Sequence, residues 1–206
     1  MTLHPLEFWF ELASTYSHVA VHRVEALARA ADVAVIWRPF LLGPIFKQQG
    51  WADSPFNLYV LKGAYMWRDM ERLCEKHAIA FRKPSQFPRQ SLLATRVALA
   101  GEQTPWLPGF VRAVYRANFY DDLDIADRAV VRELLRQAGC PAPDVHLELA
   151  ESVAVKQELR QRTEQAVAYG IFGAPSFRVG GELFWGQDRL EDAIDRCVRG
   201  AQSPRS

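Results

Sequence analysis

Ser14 is the residue of this chain whose type and position best suit chemistry. It opens the segment Ser14-Thr15-Tyr16-Ser17, which follows the apolar run Leu6–Glu11 and precedes a helical pattern. A hydroxyl at the start of a helix can donate a hydrogen bond to a bound thiolate, and the helix end adds partial positive charge. Serine is also a preferred N-cap residue, so this segment alone leaves a purely structural role equally open.

A second group of informative residues lies near the C-terminus. Ser176–Val179 and Glu182–Trp185 are short apolar runs joined by Gly180-Gly181, and such a pair favours a tight hairpin because both glycines accept positive φ. Pro175 precedes the first run, where the loss of a ladder donor is tolerated. Asp188 starts the next helical pattern, where a carboxylate is favoured. A plain hairpin and helix cap would explain the same residues.

The elements around these residues follow a recognisable order. We predict a strand at Leu6–Glu11, a helix from about residue 16 to 31, a second strand at Val33–Pro39, and then the hairpin with its closing helix. Between residues 57 and 169 only helical periodicity occurs. The sequence therefore predicts an α/β, thioredoxin-like fold made of residues 1–50 and 165–206, with a large all-helical insertion at 51–164.

Three motifs resemble those of one family, the kappa-class glutathione transferases and the bacterial 2-hydroxychromene-2-carboxylate isomerases, which have the DsbA-like arrangement of the thioredoxin fold. The N-terminal pattern F-D-F-x-S-P-Y-S corresponds to residues 10–17, with Thr15 in place of the proline. The C-terminal pattern F-G-x-P-x-F, followed by F/W-G-x-D-R, matches residues 172–177 and 185–189. Lys62, Tyr65 and Asp69 fall on K-x-x-Y-x-x-x-D. The likeness covers nearly the whole chain.

The resemblance implies glutathione as cofactor and a set of site residues. Asp188 would pair with the γ-glutamyl ammonium, Lys62 with the glycyl carboxylate, and main-chain groups at Ala174 with the peptide by strand addition. Asp53 stands where the family has an asparagine, a departure because a carboxylate cannot donate. The implied catalytic residue is Ser14, and the implied glutathione-binding residues are Ser14, Tyr16, Asp53, Lys62, Ala174, Pro175, Gln187 and Asp188. The implied substrate-pocket residues are Phe40, Trp67 and Trp185.

The reaction that the resemblance implies is a glutathione-dependent isomerisation of 2-hydroxychromene-2-carboxylate or a related intermediate of aromatic degradation. The alternative is a kappa-class-like glutathione transferase that acts on electrophilic aromatics. A relic of a DsbA-like oxidoreductase is disfavoured because residues 14–17 hold no cysteine and cannot form a dithiol. A non-catalytic thioredoxin-fold interaction module is the remaining alternative. The resemblance also implies a homodimer.

Composition narrows the possible partners. The 206 residues carry a net charge near +1, with 49% hydrophobic and 24% charged residues, so we expect neither nucleic acid nor a membrane as partner. The N-terminus lacks a basic and an apolar signal region, which favours the cytoplasm. The five histidines lack metal-ligand clustering, so no metal is expected. We interpret Cys74, Cys140 and Cys197 as structural, and we expect Cys140 to be exposed because of its proline-rich loop.

Overall fold

The computed structural model describes residues 4–200, and it contains one four-stranded sheet with the order β2-β1-β3-β4. The strands are β1 (Leu6–Phe10), β2 (Val35–Pro39), β3 (Ser176–Val179) and β4 (Glu182–Trp185). β1 pairs in parallel with β2 and antiparallel with β3, and β3 pairs antiparallel with β4. The first and last segments of the chain thus share one sheet, which confirms the predicted fold. Residues 1–3 and 201–206, the ends of the predicted thioredoxin-like portion, lie outside the described residues.

Helices account for most of the rest of the chain. They are α1 (Thr15–Ala30), α2 (Leu42–Gln48), α3 (Pro55–Leu58), α4 (Val60–Lys76), α5 (Leu92–Ala100), α6 (Leu107–Phe119), α7 (Arg128–Gln137), α8 (Pro143–Glu151), α9 (Val153–Ala168) and α10 (Leu190–Arg199). A single 3₁₀ turn, Gln187–Arg189, precedes α10. The described chain has no strand between residues 57 and 169, as the periodicity predicted. No helix among residues 4–200 combines the length and the hydropathy that crossing a membrane would require.

The largest core cluster joins the sheet to the helices between β2 and β3. Phe8 of β1 stacks on Phe177 of β3, with ring centroids 5.4 Å apart, and contacts Trp37 of β2 edge-on at 5.3 Å. Buried side chains of α5, α6 and α7 belong to the same cluster. Because aromatic rings prefer offset or edge-on contacts, these pairs help to fix how β1 sits between its two neighbours. The strand that leads to Ser14 is therefore held from both sides.

Cys140 departs from the sequence prediction. It is buried, with 6% of its surface exposed, so the prediction that it is exposed is wrong. Gly139, with φ of 82°, turns the chain back onto α7, where the Cys140 N–H donates to Leu135 O at 3.0 Å. The predicted domain boundary at residue 165 falls inside α9, which runs without a break to Ala168. The division of the chain at residues 50 and 165 stays a prediction.

Candidate active site

One large cavity, of about 1430 Å³, lies where the sheet, the N-terminus of α1 and the α2–α4 region meet. Its walls include Ala13 to Tyr16, Gly173-Ala174 and Gly186 to Arg189, and the segment Gln86–Leu92 and Lys62 also line it. These groups come from both ends of the chain and from the helical insertion. Ligand sites in proteins are often found in such clefts between structural layers.

Ser14 occupies the N-cap position of α1 and lines this cavity. Its Oγ accepts a hydrogen bond from Ser17 N at 3.3 Å and donates one to Ala174 O at 2.9 Å. The N-cap interpretation of this serine is confirmed, and the same hydroxyl links the helix to the loop before β3. Its role toward a bound thiolate stays a prediction. The sequence separation of 160 residues makes this bond a tie between the two ends of the chain.

The loop before β3 presents main-chain groups to the cavity. The Ala174–Pro175 peptide bond is cis, and within residues 4–200 the Ala174 N–H has no acceptor. Gly173 leaves room for the neighbouring indole, since a Cβ there would lie 2.4 Å from Trp185 Nε1. Trp185 is 53% exposed and packs on Phe172 at 4.8 Å between ring centroids. An aromatic pair thus borders the free N–H of Ala174.

The turn after β4 supplies the residues predicted for the γ-glutamyl end. Gln187 and Asp188 both line the cavity. Arg23 of α1 holds Gln187 through its guanidinium, which donates to Gln187 O at 3.3 Å and to Gln187 Oε1 at 3.0 Å. Asp188 pairs with Arg189 at 3.1 Å, but its side chain is 60% exposed. Its carboxylate is therefore open to a second cation.

The residues predicted from the insertion also reach the cavity. Tyr16 donates to Asp69 Oδ2 at 3.0 Å, and burial together with this neighbouring carboxylate raises the pKa of Tyr16, so the phenol stays protonated. Lys62 lies over the Tyr59 ring at 5.0 Å and has no acidic partner among residues 4–200. Asp53 uses both oxygens locally, accepting from Ser54 N at 2.6 Å and from Asn57 Nδ2 at 3.0 Å.

Glu11 is a cavity residue that the sequence reasoning missed. Its side chain accepts hydrogen bonds from Ser91 Oγ and, at 3.0 Å, from Ala13 N. Tyr115 OH donates to the Glu11 main-chain carbonyl at 2.7 Å. Burial raises the pKa of Glu11 to about 7, and hydrogen bonds from Ser91, Ala13 and Ser14 only partly offset that rise. A carboxyl that titrates near neutral pH therefore lies three residues before Ser14.

Arg89 is a second missed residue. It is buried, lines the cavity and forms an ion pair of 2.6 Å with Asp122. Hydrogen bonds from Arg89 and from the Ser85 N–H hold the pKa of Asp122 well below its usual range, at about 2. Arg89 directly follows the proline-containing loop Lys83–Pro88. An arginine in such a loop gives no signal until the fold brings its partner close.

Three predicted residues lie elsewhere. Phe40 is fully buried in a separate cluster beside Trp9, and it does not line the cavity. Trp67 packs behind Phe87 at 4.9 Å, and Phe87 forms the cavity surface in its place. Pro175 is buried outside the lining, and its carbonyl accepts from Gly186 N at 3.0 Å. Phe40 and Trp67 therefore do not line this cavity, contrary to the prediction, and contact of Pro175 with a ligand stays a prediction.

Comparison with known proteins agrees with this architecture. The family model for the DSBA-like thioredoxin domain matches residues 5–196. The chain belongs to the DSBA-like thioredoxin domain family. Within residues 4–200 this member holds no group of three or more metal-binding side chains, and its three cysteines are unpaired and buried.

Relatives of known activity carry the names that the motifs suggested. The 2-hydroxychromene-2-carboxylate isomerase of Sphingobium xenophagum is 28% identical over 187 residues, which cover 90% of this chain and 94% of that protein. Glutathione S-transferase kappa 1 of Homo sapiens is 27% identical over 199 residues, covering 90% and 87%. A solved structure of 2-hydroxychromene-2-carboxylate isomerase superposes with a TM-score of 0.83 at 20% identity, covering 94% and 96%. The resemblance stated from the motifs is confirmed.

Proposed function

We propose that this protein is a glutathione-dependent isomerase that acts on 2-hydroxychromene-2-carboxylate or a closely related aromatic-degradation intermediate. The observation that carries the proposal is the Ser14 hydroxyl at a helix N-terminus, 2.9 Å from the carbonyl of the loop that ends in the cis proline. The similarity to named isomerases and kappa-class transferases over about nine-tenths of the chain supports it.

The residues around the cavity fit glutathione. Ala174 offers a free N–H, as strand addition of an extended peptide requires. Lys62 suits one terminal carboxylate, and the exposed side of Asp188 suits the ammonium at the other end. The cavity volume of about 1430 Å³ leaves space for a second, aromatic molecule. Asp53 is the weakest member, because both of its oxygens already accept local hydrogen bonds.

Glutathione, when bound, would supply a thiolate nucleophile for addition to the conjugated substrate, and elimination of the same thiolate after bond rotation would return glutathione unchanged. Ser14 stabilises that sulfur by turning its hydroxyl from Ala174 O toward the cavity while it keeps its own proton. This rotation of the Ser14 hydroxyl also frees the Ala174 carbonyl, which can then accept a hydrogen bond from the bound peptide, so that the carbonyl is not left unpaired. The N-terminus of α1 adds positive potential at the same point.

The aromatic part of the substrate meets apolar side chains at the cavity surface. Phe172 and Trp185 form one face, and Phe87 forms another. Tyr16 stays protonated beside Asp69, so its phenol adds no negative charge near the sulfur. Lys62 carries an uncompensated positive charge that can also attract a substrate carboxylate.

Kappa-class-like transfer of glutathione to an electrophile is the second candidate. It is supported by the 27% identity to Glutathione S-transferase kappa 1. Both reactions require the same stabilised thiolate and differ in what the aromatic faces accept. We further propose a cytoplasmic location and a homodimer. The homodimer is supported by the apolar surface that Tyr59, Val60 and Leu61 leave at the junction of α3 and α4, with Leu61 87% exposed.

The test follows chromene isomerisation with and without glutathione in the wild type, in Ser14→Ala and in Ser152→Ala. Loss of one hydrogen bond to a charged group costs about 1.5–3 kcal/mol, so Ser14→Ala should lower kcat/KM about 10- to 100-fold. Ser152 is the matched control because it caps α9 with the same 3.3 Å bond but lies outside the cavity.

Ser152→Ala should lose the equivalent helix-cap bond and leave turnover unchanged. If the protein forms a glutathione conjugate with a halogenated nitroaromatic but does not isomerise the chromene, it is a transferase and the proposed isomerase activity is wrong. Turnover that is independent of both glutathione and Ser14 would contradict either form of the mechanism.

A further inference from the structure

A second depression lies between α2, α5 and α9. Its volume is about 310 Å³, at the lower end of the range of small-molecule sites. We call it the α2–α5–α9 groove. Its lining consists of Leu41, Pro44, Gln48, Leu92, Arg96, Lys156, Leu159, Arg160, Thr163, Glu164 and Val167. Ser14, Lys62, Ala174 and Asp188 are not among these residues, so the groove is separate from the proposed glutathione site.

The charged residues of the groove are predominantly basic. Three cations line it, and the one anion, Glu164, forms an ion pair with Arg160 at 2.9 Å. Arg96 and Lys156 have no acidic partner within residues 4–200. The groove therefore carries an excess of two positive charges. Clefts with one sign of charge and apolar walls concentrate ligands of the opposite sign.

Arg96 is the groove cation best suited to pair with a ligand. It lines the groove, and its Nε is completely buried without an acceptor within residues 4–200, so a molecule in the groove can reach only the terminal nitrogens of the guanidinium. A planar carboxylate can accept from both terminal nitrogens together, in a bidentate arrangement that arginine favours. An anion bound at Arg96 would thus offset its unpaired charge.

Apart from Gln48 and Thr163, the remaining walls are apolar. Leu92 and Val167 are partly exposed toward the groove, and Leu159 is buried at its base. Thr163 adds no free donor, since its hydroxyl already donates to Leu159 O. A compact, strongly hydrated anion such as phosphate would leave these walls uncovered. The walls and the cations together favour an anion with an apolar body.

We propose that the α2–α5–α9 groove binds a small apolar monocarboxylate, with its carboxylate on the Arg96 guanidinium and its hydrocarbon or aromatic body against Leu92, Leu159 and Val167. Lys156 adds long-range attraction. Leu41, Pro44 and Leu92 also line the central cavity, so an occupant of the groove contacts the back of that cavity's wall. This site is independent of glutathione and does not require the proposed function to be correct.

The experiment is calorimetric titration with 2-naphthoate, and with the neutral 2-naphthalenemethanol as matched ligand. Arg96→Gln removes the charge and should raise the Kd of 2-naphthoate about 10-fold or more, since charge-assisted hydrogen bonds are lost. Arg136→Gln, an exposed arginine of α7 outside the groove, is the control and should leave the Kd unchanged. Lys156→Gln, at an exposed position, should raise the Kd about 3-fold, an effect typical of a screened charge.

Several outcomes would overturn the proposal. These are the absence of saturable heat, equal Kd values in the wild type and Arg96→Gln, or equal binding of the neutral alcohol. Competition by saturating glutathione, or loss of binding in Trp185→Ala with Arg96 intact, would place the ligand in the central cavity. A changed sedimentation coefficient in Arg96→Gln would instead show that the groove is a contact between two copies of the chain.

Discussion

The two walls of the central cavity are built in different ways. One wall consists of Ser14, Ala174 and Gln187, and hydrogen bonds between distant parts of the chain fix it, from Ser14 to Ala174 and from Arg23 to Gln187. We call this the bonded wall. The other wall comes from α3 and α4, where Lys62 and Tyr65 line the cavity and Tyr65 is 62% exposed. We call this the exposed wall.

This difference matches the two kinds of ligand in the proposed reaction. A peptide cofactor with fixed polar groups requires donors and acceptors at fixed positions, and the bonded wall provides them. A flat aromatic substrate requires apolar contact area and one charged group to pair with its carboxylate. The Phe172–Trp185 pair provides the contact area, and Lys62 of the exposed wall provides the charge. Changes in the bonded wall should therefore have large effects, and changes in the exposed wall small ones.

The largest effect is expected for Glu11→Gln, which lies behind the bonded wall. The quantity that changes is the pH dependence of the free energy of unfolding. Glu11 has a folded-state pKa of about 7 against 4.5 unperturbed, so the folded protein binds this proton more tightly. The stabilisation is complete below pH 4.5 and is lost as pH rises through 7, by about 3 kcal/mol in total. Glutamine can accept from Ala13 N and donate to Ser91, so it keeps the geometry without the titration.

Urea unfolding of the wild type and Glu11→Gln between pH 4.5 and 8 checks this. The variant should show the weaker decline in unfolding free energy across that window and should be the more stable of the two at pH 8. Parallel curves for the two proteins would mean that Glu11 does not bind a proton in this range.

The bonded wall was also the part most readable from the sequence. Ser14, Ala174, Gln187 and Asp188 lie in short motifs, where local turn and cap chemistry decides the backbone. Glu11 is different, because its properties depend on Ser91, a residue 80 positions away that no local pattern connects to it. Periodicity could predict the helices of the insertion but not their arrangement.

The aromatic predictions failed for a related reason. An apolar side chain in a sequence gives no sign of whether it faces a cavity or the core, and packing density alone decides between them. In the structure, Phe40 packs in a core cluster with Trp9, whereas Phe172 and Phe87 line the cavity. Of the three predicted aromatic residues, only Trp185 lies at the cavity surface. It belongs to the C-terminal motif, which identified the residues next to it as well.

Gly173→Ala tests the aromatic edge of the bonded wall. The new Cβ would lie 2.4 Å from Trp185 Nε1, and the exposed indole can move away at little cost in stability. Because the displaced ring no longer pairs with Phe172, kcat/KM for the aromatic substrate should fall about 10-fold. Gly43→Ala is the control, since Gly43 also lines the cavity but a Cβ there meets nothing within 4 Å. Equal kinetics in the two variants would show that Trp185 has no part in substrate binding.

Asp188→Asn should have a smaller effect, on cofactor affinity. The carboxylate is 60% exposed and shared with Arg189, so solvent screens its attraction for an ammonium. We expect the Kd for glutathione to rise about 3-fold, in line with the modest free energy of exposed ion pairs. Asp192→Asn removes the other Arg189 partner, at 2.8 Å, from a residue outside the cavity. A rise of the same size in both variants would mean that the carboxylates act only through Arg189.

The smallest effect on the folded chain is expected on the exposed wall, at Leu61→Ser. Leu61 is 87% exposed, so the variant should change the free energy of unfolding of a monomer by less than about 0.5 kcal/mol. If α4 lies against a second copy of the chain, as we propose, the same serine loses apolar contact area there and weakens association. Sedimentation over a range of protein concentrations separates the two effects, with Leu149→Ser on α8, 43% exposed, as the matched control. Weaker association in Leu61→Ser alone would place the subunit contact on α4. Unchanged association in both would mean that this apolar surface faces solvent and that the exposed wall is open at its outer side.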